Sequence, residues 1–254
     1  MYFSHSILEP TMKIITILCF ICLYLPSLAQ KNKQSAITFS YAHQLPIGKL
    51  STKFGDNSYL GFSFFKEKGN NLFYGLEGGY IFSNNVKDTT VFENITTLSG
   101  IIIGADGKYS DVNLMQRGFD SYIFVGYAYH SKDNNLSGVY LSAGLGFLQH
   151  QIFIDTKNQN IPQLYENYKK GYDRLTNGIS TKWEASYKYY SPNGQFQIFT
   201  GVNMTIAYTK NKRPYLFDKA AYTSNIGSWD NLLGINFGVI IPIQRKNEEE
   251  FHYY

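Results

Sequence analysis

The patterning of the chain predicts an all-β protein, a closed antiparallel up-and-down transmembrane β-barrel of about eight strands. Three observations carry that expectation. Four stretches alternate apolar and polar residues strictly. The clearest runs from Gln195 to Tyr208, where Phe196, Ile198, Val202, Met204, Ile206 and Tyr208 share one face and Gln195, Gln197, Asn203 and Thr205 the other. A period of two is a strand with one face in an apolar medium and one in a polar interior. The connections between such stretches are alternately short and long. On the apolar rows aliphatics such as Ile123 and Val125 lie mid-strand, whereas Tyr80, Phe82, Tyr127, Tyr129, Tyr187, Tyr189 and Tyr208 gather near the ends, as interfacial girdles do.

In chain order, Lys13 precedes an apolar run from Ile14 to Leu25, and Ser27-Leu28-Ala29 offers the small residues of a cleavage site. Residues 1–29 therefore read as a secretory signal cut before Gln30, with Met12 an alternative start. About a dozen apolar residues fall short of the ~20 a spanning helix needs. Cys19 and Cys22, both inside that run, are the only cysteines. A mature chain without cysteine excludes a disulfide scaffold, a thiol nucleophile and a thiolate metal site. It would hold 225 residues (254 minus 29) with no Pro/Gly/Ser linker, and reads as one barrel domain over 30–244 with a periplasmic tail over 245–254.

Strands are expected near 37–44, 59–66, 72–82, 120–130, 139–154, 179–190, 195–208 and 232–243. The connections 45–58, 83–119, 155–178 and 209–231 are long, and 67–71, 131–138 and 191–194 are short. Outer-membrane barrels show this asymmetry, with tight periplasmic turns and long outside loops. Lys132-Asp133-Asn134-Asn135 and Ser191-Pro192-Asn193-Gly194 carry tight-turn residues. A soluble lipocalin-like barrel would turn the apolar face inward. The opposite rows here are instead rich in glycine, with Gly144, Gly146, Gly201, Gly234 and Gly238 among them, as a crowded eight-stranded interior requires.

The inward rows also carry Glu77, His150, Lys182, Glu184 and Lys188. Charges in a narrow low-dielectric lumen must pair. With a hairpin closing near Ile154 and Gly178, His150 falls beside Lys182, and Glu77 and Glu184 are expected to hold Lys182 in a plug. No catalytic constellation emerges. His43 is on the outward row, His252 is in the tail, and His130-Ser131 sits at a turn where adjacent residues point apart, which leaves His150 as the one histidine to test. Gly100, Gly104 and Gly107 lack the Lys-Ser/Thr of a phosphate loop and read as a loop turn, with 99–105 an extra short strand above the membrane. Asp155, Asp173, Asp218 and Asp230 read as loop residues without calcium-site spacing, so no metal and no cofactor is implied. The net charge of +4 is spread without a Lys/Arg block and reads as an ordinary solvated surface, not a nucleic-acid interface.

From Ile37 to Ile243 this alternation and loop pattern, with a signal ending Ser-Leu-Ala, resembles the small outer-membrane barrels of Gram-negative bacteria, such as the OmpA transmembrane domain, OmpX and the PorT-like barrels. The chain departs from many of them in ending its last strand on Ile241 and Ile243, not on an aromatic residue. The resemblance implies residence in the outer membrane among its lipids. The expected role is non-catalytic, with the long loops or the outer wall binding partners in a membrane complex. The alternative is a narrow small-solute passage, and a lipid A or peptide hydrolase stands third.

Overall fold

The computed structural model describes residues 34–243 apart from 69, 131–135, 158, 192–196 and 224–225. The expected signal and tail lie outside the described residues, as do the turn residues Lys132 to Asn135 and Pro192 to Gly194 and the first two residues of the stretch from Gln195. In chain order the strands are β1 (Gln34–Ile47), β2 (Asn57–Glu67), β3 (Leu72–Ser83), β4 (Ile102–Ile103), β5 (Tyr109–Ser110), β6 (Asn113–His130), β7 (Gly138–Asp155), β8 (Thr176–Tyr190), β9 (Gln197–Asn211), β10 (Tyr215–Leu216), β11 (Ala221–Tyr222) and β12 (Ser228–Pro242). Eight of them close antiparallel in the order β1-β12-β9-β8-β7-β6-β3-β2. This is the expected barrel. Every long strand pairs on both sides, so no ladder edge faces lipid.

Outward rows are apolar all round. Ile123, Val125, Leu145, Ile179, Val202 and Ile235 are each more than half exposed. Their aromatic ends pair as girdles, with Tyr127 and Tyr129 ring centroids 4.9 Å apart and Tyr208 and Trp229 5.2 Å apart. A belt of oil-facing side chains on a closed sheet is a wall made for a bilayer. Inward rows alternate with it, and Gly61 and Gly79 show why glycine is needed there. A Cβ at either would sit 2.1 to 2.7 Å from the Tyr59 ring, which lies across both.

The strands run further outward than the alternation suggests. β6 begins at Asn113, seven residues before Asp120, because above the bilayer the ladder holds the strand and no oil-water contrast is required. β4 and β5 make a separate two-stranded hairpin in the second long loop, turning through Gly107 at φ +72. This places the extra strand outside the barrel sheet.

The interior has two packed cores. Beneath the loops, Ala42, Tyr59, Ile81, Leu148, Ile152, Ile154 and Leu232 of the strands pack with Leu50, Phe54, Val91, Phe92, Ile102, Ile161, Leu164 and Tyr172 of the loops. Toward the tight turns, Phe65, Phe73, Phe124, Tyr140, Tyr190, Phe199 and Ile240 form an aromatic layer.

Candidate functional site

Between these cores lies the charged interior. Lys182 of β8 forms an ion pair with Glu77 of β3, across the barrel. The Tyr59 hydroxyl donates to Asp120 Oδ1 at 2.9 Å, and Lys182 Nζ stands 3.4 Å from that hydroxyl and 4.5 Å from the Tyr59 ring centroid. Tyr122 caps the group, with its hydroxyl 2.5 Å from Ser180 Oγ. Lys182 and Asp120 are each under 5 % exposed. At that burial an isolated charge is costly, so the ring face and the carboxylates together replace water around the ammonium.

Of the five inward charged or ionisable residues expected from the sequence, only Lys182 and Glu77 meet directly. Glu184 accepts instead from Asn236 Nδ2 at 2.9 Å. Lys188 lies over the rings of Phe65, Tyr140 and Phe73, at 3.7, 4.5 and 5.2 Å from their centroids. His150 is not beside Lys182. It stands opposite Thr176, while Lys182 stands opposite Gly144. Gly178 faces Leu148, six residues down β7 from Ile154. A six-residue slip keeps every side chain on its face, so alternation could not have revealed it. His150 Nε2 is 2.8 Å from Asp230 Oδ2, which also accepts from Thr209 Oγ1 at 2.5 Å. Asp230 is thus an inward residue of β12 and not a loop residue. Asp120, another missed carboxylate, lies on the even-numbered inward row of β6, the signal by which it was readable.

A second unanticipated cluster closes the end that carries the short connections. His130 turns inward, its Nε2 3.1 Å from Glu67 Oε1 and 3.1 Å from the Tyr140 hydroxyl. That hydroxyl lies 3.1 Å from Glu67 Oε2. Between the Lys182 group and the aromatic layer a cavity of about 30 Å³ is lined by Thr38, Ser40, Ser63, Ser142, Ser186, Glu77, Glu184 and Lys188, with phenylalanine rings around them. It has room for about two waters.

The outside mouth is covered by loops that hold one another. Arg174 of the third long loop pairs with Asp88 of the second and with Asp218 of the fourth. Arg213 grips Asp173 through two nitrogens, Nε at 2.8 Å, and this bonding raises the guanidinium above its ordinary pKa. Asn94 Nδ2 donates to the Phe217 carbonyl at 3.0 Å, and the Phe217 ring packs on Tyr172 at 5.4 Å. Burial pushes the Tyr172 phenol up. Among the described residues no group of three His, Cys, Asp or Glu side chains is placed to hold a metal.

No protein-family model matches the chain and no curated relative does. Solved structures similar to it include neisserial surface protein A, at TM-score 0.41 and 10% identity over 83% of this chain and 99% of that one. The attachment invasion locus protein of Yersinia pestis, in complex with the heparin analogue sucrose octasulfate, gives 0.38 and 9% over 83% and 99%. The outer membrane protein OprG of Pseudomonas aeruginosa gives 0.38 and 13% over 84% and 98%. The assignment rests on this chain's own architecture: a closed eight-stranded antiparallel sheet, an apolar outer wall between aromatic girdles, tight turns at one end and long loops at the other. The chain folds as a small closed eight-stranded antiparallel β-barrel whose outer wall is built for a bilayer.

Proposed function

We propose that this barrel is a non-catalytic membrane scaffold whose folded loop cap, or outer wall, binds a protein partner, and whose lumen is plugged. The observation that carries the reading is the cap. Three long loops cross-linked by Arg174 and Arg213 over an apolar core form a preorganised surface, and ordering such a surface before binding lowers the entropic cost of association. Tyr109, Tyr168 and Tyr222 stand exposed on it, at 78, 56 and 84 %. Beneath the cap, Lys182 lies against the rings of Tyr59 and Tyr122 inside the barrel, and eight strands enclose an interior that side chains can fill. The histidines support a non-catalytic reading, since His150 and His130 each set Nε2 against a buried carboxylate, that of Asp230 and that of Glu67. The Thr209 hydroxyl, which shares Asp230 Oδ2 with His150, donates to that carboxylate oxygen and not to the ring.

The mature chain begins at Gln30 in this reading, and N-terminal sequencing of membrane-extracted protein tests that. Mild-detergent extraction from native membranes should bring down a partner lost when Tyr168 and Tyr222 are changed to Ser. In planar bilayers the barrel should be electrically silent. The polar cavity between the Lys182 group and the aromatic layer favours a second reading, a narrow small-solute passage. Steady wild-type conductance would put it in place of the plug.

A further inference from the structure

On the wall formed by β6, β7, β8 and β9, the outward alternation changes character just above the aromatic girdle. Arg117 of β6 stands opposite Gln151 of β7, Gln149 opposite Asn177 of β8, and Asn177 opposite Lys210 of β9. All five are half-buried. They form one row across four neighbouring strands, amides in the middle and a cation at each end. Directly below lie the outward Phe119, Ile179 and Tyr208, which are 45, 69 and 43 % exposed. The row therefore sits where acyl chains give way to headgroups.

Its charge is unbalanced. The outward faces of these strands carry no carboxylate below Asp155, four residues beyond Gln151, and Asp155 accepts the Lys157 backbone N–H at 2.9 Å. Of the loop acids above, Asp173 pairs with Arg213 and Asp218 with Arg174. On the opposite wall the corresponding rim holds a His43–Asp56 contact of 3.7 Å, so the cationic row belongs to one side of the barrel. Arg117 is positioned by its own rim: Nη1 donates to the Gln116 and Ser83 carbonyls at 2.8 and 3.3 Å, and the guanidinium lies 5.9 Å from the Phe153 ring centroid. Asn177 Nδ2 donates to Gln149 Oε1 at 3.2 Å, which aligns the two amides.

Three interstrand spacings and one two-residue step put the Arg117 and Lys210 backbones about 15 Å apart. A guanidinium fork suits a phosphate, an ammonium suits a second one, and amides donate to and accept from hydroxyls. We propose that this row binds the headgroup of an outer-leaflet glycolipid bearing a phosphate at each end of a short sugar backbone, with Arg117 and Lys210 taking the phosphates and Gln149, Gln151 and Asn177 the sugar hydroxyls. The acyl chains then lie on the Phe119 and Ile179 wall. The site is independent of the loop-cap surface, so a partner lost or found there leaves it standing.

The mature barrel, refolded into phosphatidylcholine vesicles doped with diphosphoryl lipid A, monophosphoryl lipid A or phosphatidic acid, is extracted in mild detergent, and retained lipids are counted by native mass spectrometry. Diphosphoryl lipid A should be retained several-fold over the other two. Lys210→Gln should bring it down to the monophosphoryl level, and Arg117→Gln/Lys210→Gln to the phosphatidylcholine level, with the heat-dependent gel shift of a folded barrel intact. Should the double variant not fold, Lys210→Gln decides alone. Equal retention of phosphatidic acid would reduce the row to general anionic attraction and overturn the proposal. So would retention unchanged in Lys210→Gln, or release of the lipid by inorganic pyrophosphate alone.

Discussion

The two halves of the interior solve the same problem with opposite chemistry. Toward the outside, Leu148, Ile152 and Leu232 meet loop residues Leu50, Val91 and Leu164 in a core like that of a soluble domain, and the rim charges hold the lid from above. At mid-depth the chain instead buries Lys182, Glu77 and Asp120 and satisfies them with one another and with Tyr59. The difference follows from what each half can recruit. Long loops bring apolar side chains to the mouth, whereas the mid-barrel is filled only by what alternate strand positions project inward, and mutual satisfaction of those groups requires matched polar atoms. The apolar half should thus be tolerant in detail, while the polar half depends on complete pairing.

The largest effect expected is at Lys182. Lys182→Met leaves Glu77 and Asp120 without their cation, and breaking a buried pair costs about 3 to 5 kcal/mol. Glu77→Gln/Lys182→Met should cost much less, since less charge is stranded. Folding titrations into lipid vesicles measure both, and additive losses would mean that no coupled group exists at mid-depth. In the apolar half, Leu148→Ala should cost about 2 to 5 kcal/mol with no such rescue by a partner change. A value near zero would show that the loops do not pack on the strands in solution.

Outside the barrel the contrast inverts. Val202→Arg faces lipid and should destabilise by about 2 to 4 kcal/mol, whereas Arg at the neighbouring inward Asn203 should respond to lumen pairing and not to membrane depth. Equal dependence on bilayer thickness at both positions would contradict the face assignment. Smallest is Arg213→Gln, which removes a partly solvated pair with Asp173 and should cost about 1 kcal/mol or less. Its effect should appear instead as faster proteolysis of the fourth loop in unboiled, folded protein. Unchanged cleavage would argue against a cross-linked cap.

By itself the sequence determined the two faces of the stretches it marks as strands, and set Glu77, His150, Lys182, Glu184 and Lys188 on inward rows. It also determined the alternation of tight turns and long loops, because turn residues and strand lengths are local. Pairing was beyond it. An even slip leaves every face unchanged, so only the closed sheet decides that Gly178 meets Leu148 and that His150 reaches Asp230, 80 residues away, instead of Lys182. The same holds for Asp120 beside Tyr59 and for the long loops, which bury Val91, Phe92 and Leu164. Contacts between segments so distant in the chain are set by strand stagger and loop packing, which belong to the barrel as a whole and to no single stretch of it.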